Sequence, residues 1–391
     1  MNSDKGLGPP ANPFVRYRRM LHAHERWLAV GGTDAEFVEL VESLDAAIGG
    51  VEGHGFVVTP VAQQPALAAA VAMPDSARLW VKDETNNVGG SHKARHLFGL
   101  LLHAAVDARL GRDSSTELAI ASCGNAALGA AVVAKAAGRR LRVFIPVWAD
   151  EVVASMLDDL GATIERCERR EGEAGDPCYL RFLEAVDAGS VAFSVQGTIA
   201  PATLDGGRTI GWELAEQLAA AQGRPARLNA VSVQVGGGAL GASLAAGLAD
   251  GVEQGWLAAM PRVSTVQTVA CAPLQRAYRL LADVEDPQAA MQADPGRFMW
   301  PWEDVGTSAA SGILDDVTYD WLPLTRAMLE TGGTAVVVDE PTVVRAHQLG
   351  RELTGIDVCA TGTAGLAGLL SGGVRVDPND DVAVLFTGHQ R

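Results

Sequence analysis

Short apolar strands alternate with helices along most of this chain. Strands are predicted at 79–81, 118–121, 141–146, 162–164 and 191–195, with helices at 126–137, 151–160 and 179–188. A second set has strands at 230–235, 263–270, 335–338 and 382–386, with helices at 209–221, 240–251, 341–353 and 363–370. Successive parallel strands need a crossover connection, and that connection is usually a helix. The alternation therefore predicts an α/β fold with mostly parallel sheets covered on both faces.

Two helices are predicted before this pattern begins, and one insertion interrupts it. Tyr17 to Leu28 indicates a basic helix, and Asp34 to Ile48 indicates an amphipathic helix capped at Thr33-Asp34. We expect both to be scaffold. Pro287 to Trp302 is polar and rich in Pro and Trp, which is typical of a lid or a surface insertion.

Composition limits the possible partners and compartments. The 391 residues carry a formal charge of −16, without a long basic cluster, which argues against nucleic acid and anionic membranes as partners. Met1 to Pro10 lacks an apolar signal-peptide core, and no apolar run is long enough to cross a bilayer, so a cytoplasmic location is expected. The five cysteines are scattered without Cys-x-x-Cys pairs, and no metal site is expected.

Lys93 follows a predicted turn that connects a strand to a helix. The strand Leu79 to Val81 is followed by Gly89-Gly90 and then by Ser91, a suitable N-cap for the next helix. Lys93 would therefore lie in the first helical turn, where the helix dipole disfavours a charged ammonium group and suits Schiff-base chemistry. A solvated surface lysine is the alternative interpretation.

Two further strand-to-helix turns are suited to binding anions. Ser122-Cys123-Gly124-Asn125-Ala126 follows a strand and starts an alanine-rich helix, where amides and a hydroxyl could hold a carboxylate. Gly236-Gly237-Gly238-Ala239-Leu240 follows the apolar strand Val231 to Val235, and its backbone amides could close on a phosphate. Its spacing fits neither the dinucleotide fingerprint nor a Walker loop. Either turn could instead be purely structural.

The lysine segment resembles that of the fold-type II pyridoxal-phosphate enzymes, which include threonine synthase, serine/threonine dehydratase and cysteine synthase. The matching residues are Lys82, Glu84, Asn87, Gly90, Ser91, Lys93 and Arg95. The two anion-binding turns also resemble family segments, as does the C-terminal strand that ends in Thr387-Gly388-His389. The resemblance covers roughly Pro60 to His389.

This resemblance implies a fold, a cofactor and a set of site residues. The fold would be two open, mostly parallel-sheet domains of the tryptophan synthase β type, with 1–87 and 197–391 as the large cofactor-binding domain and 88–196 as the small domain. The cofactor would be pyridoxal 5'-phosphate, the substrate a small amino acid and the assembly a homodimer. The cofactor would be held by Lys93, Asn125, Gly236, Gly237, Gly238, Ala239, Leu240 and Thr387. The substrate would be bound by Ser91, Ser122, Cys123, Gly124, Asn125 and Ala126.

Individual roles also follow from the resemblance. Lys93 would bind the cofactor as a Schiff base and act as the general base, and Asn125 would bond the phenolic oxygen of the cofactor. Thr387 would face the pyridine nitrogen. Because a hydroxyl is a weak acid, that nitrogen would stay largely unprotonated, which favours direct loss of a leaving group.

The chain departs from the family pattern at four places. His92 replaces the usual Phe, and Ala94 replaces the Asp of threonine synthases. Arg208 replaces their Lys, and Cys359-Ala360 replaces their Glu-Pro. A neutral His92 could pack against the cofactor or relay a proton.

We predict a lyase that removes a β-substituent from an amino acid with release of ammonia, as serine/threonine dehydratases do, because Ser122 to Ala126 resembles their loop more than it resembles that of threonine synthases. The alternative is a threonine-synthase-like enzyme, working by γ-elimination and β-addition on a phosphorylated homoserine, which the C-terminus and Arg208 favour. A β-replacement enzyme using a thiol nucleophile comes third. A non-catalytic cofactor-binding or scaffold protein is the alternative from another class.

Overall fold

The computed structural model of the chain describes residues 11–112, 117–173 and 175–391. The stretch Met1 to Pro10, in which no signal-peptide core is expected, lies outside these ranges. The helices are α1 (Pro13–Arg16), α2 (His22–Ala29), α3 (Asp34–Glu52), α4 (Pro65–Ala70), α5 (Lys93–Arg109), α6 (Asn125–Ala136), α7 (Glu151–Asp159), α8 (Pro177–Asp187), α9 (Thr203–Gln222), α10 (Ala239–Glu253), α11 (Pro273–Leu281), α12 (Pro287–Ala293), α13 (Trp321–Thr331), α14 (Glu340–Thr354) and α15 (Ala360–Leu370). The strands are β1 (Val61–Gln63), β2 (Arg78–Asp83), β3 (Glu117–Ala121), β4 (Arg140–Pro146), β5 (Thr163–Cys167), β6 (Val191–Ala192), β7 (Ala230–Gln234), β8 (Arg262–Thr268), β9 (Ala335–Val338) and β10 (Asp381–Phe386). Short 3-10 helices span Arg18–Met20, Val88–Gly90, Pro295–Arg297 and Ser311–Ile313.

The chain separates into two compact units. Unit 1 holds the described residues of Met1–Val58, Asn87–Gly89 and Lys93–Ser194. Unit 2 holds Thr59–Asn86, Gly90–His92 and Val195–Arg391. The units differ from the predicted domains chiefly in placing 11–58 with unit 1, and the domain boundaries stay a prediction.

Unit 1 is built on a parallel sheet with the strand order β5-β4-β3-β6. Helices α6 and α8 pack against its strands. The predicted strand at 191–195 is shorter than expected, because only Val191 and Ala192 pair with β3 before the chain turns away.

The N-terminal helices of unit 1 differ in part from the prediction. The prediction of a single basic helix at Tyr17 to Leu28 was wrong, because a 3-10 helix (Arg18–Met20) and α2 occupy this range. The break falls at Leu21, which is buried and has an extended backbone (φ −79°, ψ 130°). Helix α3 begins as predicted, with a reciprocal capping box between Thr33 and Glu36.

Unit 2 is built on a six-stranded sheet with the order β1-β2-β10-β7-β8-β9. Strand β1 is antiparallel to β2, and the other neighbours are parallel. Helix α15 packs on the central strands, and the β7 and β10 strands are buried along their whole length. The predicted α/β class with mostly parallel sheets is confirmed, although the sequence pattern did not predict β1, α4, α11 or α13.

Unit 2 also buries a charged cluster around Thr59. Lys82 in β2 and Glu213 in α9 have fully buried side chains, with 2.5 Å between Nζ and Oε2. Lys82 Nζ also donates to the Thr59 carbonyl at 2.7 Å and to Gln217 Oε1 at 3.1 Å. The Thr59 hydroxyl donates to Glu84. Because buried charges lose their hydration, each member of the cluster depends on its partners.

We predict that Lys82→Met lowers the free energy of unfolding by about 3–5 kcal/mol, because it leaves Glu213 charged and buried without its ammonium partner. Lys82→Met combined with Glu213→Leu should recover most of the loss. Arg351→Met is the control, since it breaks an ion pair with Asp357 whose side chains are 45% and 50% exposed, and it should cost about 0–1 kcal/mol. Urea unfolding measures all three. Equal losses for Lys82→Met and Arg351→Met would contradict the prediction.

Candidate active site

The glycine turn of unit 2 leaves the start of a long helix open to an anion. Gly236, Gly237 and Gly238 connect the buried strand β7 to α10. Gly238 occupies the N-cap position with a left-handed backbone (φ 98°), and no side chain caps the helix. Because the first amides of a helix have no intrahelical acceptor, they can bind a phosphate or carboxylate here.

Close packing explains why these positions are glycines. A β-carbon at Gly237 would lie 3.2 Å from the Tyr319 ring, and one at Gly238 would lie 3.0 Å from the Thr318 methyl group. One at Gly236 would collide with Asp315 and lie 2.9 Å from the Ile313 α-carbon. The segment 313–320 therefore lies on the turn. The amide of Asp320 donates to the Gly237 carbonyl at 2.8 Å and fixes this contact.

The parallel register of β7 and β10 brings Thr387 to the same edge of the sheet as the glycine turn. Val382 pairs with Ala230, and Val384 pairs with Ser232. Thr387 follows β10 directly and is 2% exposed. Gln234, the last residue of β7, donates from Nε2 to Thr387 Oγ1 at 2.7 Å.

The backbone of Thr387 is held by the segment that precedes Lys93. The amide of His92 donates to the Thr387 carbonyl at 3.1 Å, and His92 Nδ1 lies 3.2 Å from the same oxygen. Because a carbonyl oxygen can only accept, Nδ1 carries the hydrogen in this contact. The His92 ring therefore bonds to the chain next to the Thr387 side chain, a contact that the sequence did not reveal.

Ser91 does not take the predicted place at the N-terminus of α5. It pairs with Gly388 in an isolated antiparallel bridge, while α5 begins at Lys93 directly after His92. The N-cap prediction was therefore wrong, because His92 directly precedes α5 and Ser91 pairs instead with Gly388, beyond the end of β10. The substrate-binding role given to Ser91 stays a prediction.

Cys359 is at the position where the family pattern has Glu-Pro. Its Sγ accepts from the Gly362 amide at 3.3 Å and so caps α15, and burial raises the pKa of the thiol. The Cys359 amide donates to the Gly388 carbonyl at 2.9 Å. Cys359 thus connects the start of α15 to Gly388, the residue that follows Thr387.

In unit 1, Lys93 is the first residue of α5, as the sequence predicts for a lysine in the first helical turn. Its side chain is neither fully buried nor fully exposed. Helices α5 and α6 approach closely, because a β-carbon at Gly129 would lie 3.3 Å from the Ala94 amide nitrogen. The lysine therefore starts a helix whose first turn is fixed by close backbone packing.

The second predicted anion-binding turn also lies in unit 1, between β3 and α6. Asn125 begins α6, and Gly124 takes the N-cap position without a side-chain cap. The Ser122 hydroxyl accepts from the Gly124 amide at 3.4 Å. The residues from Ser122 to Ala126 are all partly exposed. The turn therefore starts a helix without a side-chain cap, as a carboxylate site would require, and its binding role stays a prediction.

The predicted site residues divide between the two units. Ser91, the glycine turn with Ala239 and Leu240, and Thr387 belong to unit 2. Lys93 and the residues from Ser122 to Ala126 belong to unit 1. Sequence reasoning missed Gln234 and the contact of His92. One sequence signal could have indicated Gln234. It is the amide side chain at the end of an apolar strand, as in Val233-Gln234-Val235.

Among the described residues, no three or more His, Cys, Asp or Glu side chains group as metal ligands would. No helix within the described ranges is long and apolar enough to cross a membrane.

The sequence matches the family model for pyridoxal-phosphate dependent enzymes over residues 54–388. No curated protein matches the chain by sequence.

Solved structures show the same fold at low sequence identity. The threonine deaminase of T.th. is 22% identical, with a TM-score of 0.66 over 90% of this chain and 98% of that one. Maize serine racemase is 18% identical, with a TM-score of 0.64 over 90% and 93% of the two chains. Threonine deaminase isoform 2 from Solanum lycopersicum is 17% identical, with a TM-score of 0.64 over 92% and 86%.

The site residues fit the cofactor of this family. The uncapped, glycine-lined start of α10 suits a phosphate group, and a buried hydroxyl lies at the same edge of the sheet. With the family match across most of its length, the chain belongs to the pyridoxal-phosphate-dependent enzymes of fold type II, and its cofactor is pyridoxal 5'-phosphate.

Proposed function

We propose that this enzyme is an ammonia-lyase that removes a β-substituent from a small amino acid, as serine and threonine dehydratases do. The observation that carries the proposal is the turn from Ser122 to Ala126, whose uncapped helix start and serine hydroxyl can bind a substrate carboxylate and whose sequence resembles the dehydratase loop. Thr387 lies at the same edge of the unit 2 sheet as the glycine turn, and an uncharged hydroxyl there suits elimination better than reactions that need a strong electron sink. Threonine deaminases and an L-serine ammonia-lyase from Rhizomucor miehei are among the proteins with this fold.

Each part of the cofactor has proposed partners in the chain. Gly236 to Leu240 would bind the phosphate through backbone amides, and the α10 dipole would stabilise its charge. Thr387 would face the ring nitrogen, Asn125 would bond the phenolic oxygen, and Lys93 would bind the aldehyde carbon. When bound in this way, the cofactor supplies an electron sink that weakens the bonds to the substrate α-carbon.

The chain would also bind the substrate and move its protons. The amides at the start of α6 and the Ser122 hydroxyl would bind the substrate carboxylate, because an uncapped helix N-terminus favours a negative charge. The Lys93 amine would take the α-proton as general base. Cys123, Gly124 and Ala126 complete the proposed carboxylate loop.

One argument for the threonine-synthase alternative loses weight in the structure. Arg208 donates from Nε and a terminal nitrogen to Asp250 Oδ2 at 3.0 and 2.7 Å, and Trp212 Nε1 donates to the same oxygen at 2.7 Å. Its guanidinium also lies 3.7 Å from Asp205. These contacts join α9 to α10. Because Arg208 takes part in the packing of these helices, its presence is weaker evidence for a phosphorylated substrate. The resemblance at the C-terminus still favours that alternative.

We propose a homodimer in the cytoplasm, on the basis of the family resemblance and the composition. Size-exclusion chromatography with light scattering tests the oligomeric state.

The lyase proposal predicts which products appear. With serine, threonine or another small amino acid that carries a β-leaving group, the enzyme should release ammonia and a 2-oxo acid in equal amounts. A coupled assay for each product measures this, together with the shift of the visible absorbance band on adding each amino acid. Phosphate release from O-phosphohomoserine without ammonia would favour the threonine-synthase alternative. A colourless protein that binds no cofactor would contradict both.

Lys93→Ala should abolish the covalent attachment of the cofactor and lower turnover by about 10³-fold or more, because it removes both the anchoring amine and the base. Borohydride reduction followed by peptide mapping should label Lys93 in the wild type. Lys135→Ala is the control, since Lys135 is exposed and donates to the Asp159 carbonyl at 3.0 Å. A label on Lys82 or Lys135 would show that Lys93 is not the anchor.

Gly237→Val should raise the dissociation constant of the cofactor by about tenfold or more, because the new side chain would press on Tyr319 and distort the phosphate-binding turn. Gly296→Val is the matched control, since a β-carbon there meets nothing closer than 3.8 Å. Fluorescence titration measures the affinity, and circular dichroism checks that both variants fold. A folded Gly237→Val protein with wild-type affinity would rule out the turn as the phosphate site.

A further inference from the structure

The side-chain amide of Gln234 has one orientation that its surroundings allow. Its Nε2 lies 3.0 Å from the Gly362 carbonyl oxygen and 3.3 Å from the Leu385 carbonyl oxygen. Both are acceptors only, so the amide nitrogen, not the amide oxygen, must face them. Gln234 is 3% exposed, and these two backbone groups come from α15 and β10.

This orientation fixes the direction of the hydrogen bond to Thr387. An amide nitrogen donates and does not accept, so Thr387 Oγ1 is the acceptor in the 2.7 Å contact. The hydroxyl hydrogen of Thr387 therefore points away from Gln234 and is available to another acceptor. The His92 amide and ring also hold the Thr387 carbonyl, at 3.1 and 3.2 Å, so the residue is held through both its backbone and its side chain.

Stability alone does not explain this arrangement. In the part of the chain that the structure describes, Gln234 Oε1 is buried without a hydrogen-bond partner. A buried acceptor in that state opposes folding, and an apolar side chain of similar shape would avoid the penalty. The unpartnered Oε1 of Gln234 is therefore unfavourable for folding, whereas its Nε2 forms the hydrogen bond to the Thr387 hydroxyl oxygen.

We propose that Gln234 is a positioning residue: by donating to Thr387 Oγ1, it directs the Thr387 hydroxyl hydrogen toward the ring nitrogen of the cofactor. The inference rests on the proposed function only in taking Thr387 to face that nitrogen. A donated hydrogen bond from a weakly acidic hydroxyl leaves the ring nitrogen uncharged, which matches the elimination chemistry proposed above. Gln234 acts through Thr387 and does not itself contact the reacting atoms.

The test compares Gln234→Met, which keeps the length of the side chain and removes the donor, with the wild type. The Thr387 hydroxyl then loses the donor that fixes its orientation. We expect the cofactor dissociation constant to rise about tenfold, the visible band of the bound cofactor to shift, and kcat to fall about tenfold with KM changed less than about threefold. Unchanged affinity and an unchanged band would overturn the proposal.

Ser232→Ala is the matched control, because Ser232 lies on the same strand and donates to the Gly365 carbonyl of α15 at 2.7 Å. It removes a neighbouring buried hydrogen bond between β7 and α15 without contacting Thr387. It should lower the urea midpoint while leaving the cofactor affinity and the band unchanged. If Ser232→Ala reproduced the affinity loss and band shift of Gln234→Met, the effect would be one of packing and the proposal would fail.

A double-variant cycle separates positioning from general damage. If Gln234 acts through Thr387, then Gln234→Met should add little to the affinity loss already caused by Thr387→Val. Additive losses would overturn the proposal. Gln234→Asn keeps the amide but is one methylene shorter, so it should lose as much cofactor affinity as Gln234→Met. It replaces Gln234→Met in the experiment if that variant does not fold.

An analogue of pyridoxal phosphate with carbon in place of the ring nitrogen tests the direction of the hydrogen bond by affinity alone. The wild type should bind this analogue about tenfold more weakly than pyridoxal phosphate, and Gln234→Met should bind the two equally. Continued discrimination by Gln234→Met would overturn the proposal. These affinities do not depend on which reaction the enzyme catalyses. A wild-type protein that binds the cofactor but releases no ammonia would refute the lyase proposal, and the proposal for Gln234 would still be tested by the same affinities.

Discussion

The parallel pairing of β7 with β10 is the constraint on which the unit 2 part of the site depends. It ends both strands at one edge of the sheet, so that the glycine turn and Thr387 lie beside each other. Ligands of open parallel sheets bind at this edge, because strands end there and helices begin. The pairing therefore places the uncapped start of α10 and a buried hydroxyl at the same edge of the sheet, although Gly238 and Thr387 are far apart in the sequence.

Polar groups buried in unit 2 are held by several partners each. Lys82 is bonded to Glu213, the Thr59 carbonyl and Gln217. The Lys-x-Glu motif of the lysine segment therefore has a structural role. Gln234 is bonded to two carbonyls and to Thr387. Removing one member takes away one hydrogen-bond partner from each of the others, so each network favours a single arrangement of the strands around it.

Most helices and strands follow from the sequence, and the errors have a common cause. The strand at β7, the glycine turn and the start of α10 are local features with clear apolar and glycine signals. The wrong predictions at Tyr17 to Leu28 and at Ser91 arose where a distant part of the chain controls the backbone. Leu21 is buried away from a helical path, and Ser91 pairs with Gly388.

The sequence by itself determined the alternation of strands and helices, the lysine at a helix start and the two glycine-containing strand-to-helix turns. These depend on residues within about one helix or strand of each other, where propensity and periodicity act. The tertiary structure alone decided the partners of Gln234, His92 and Arg208. Gln234 meets Thr387 across 153 positions, and His92 meets it across 295. Such contacts depend on strand order and register, because no local pattern encodes which distant strand becomes the neighbour.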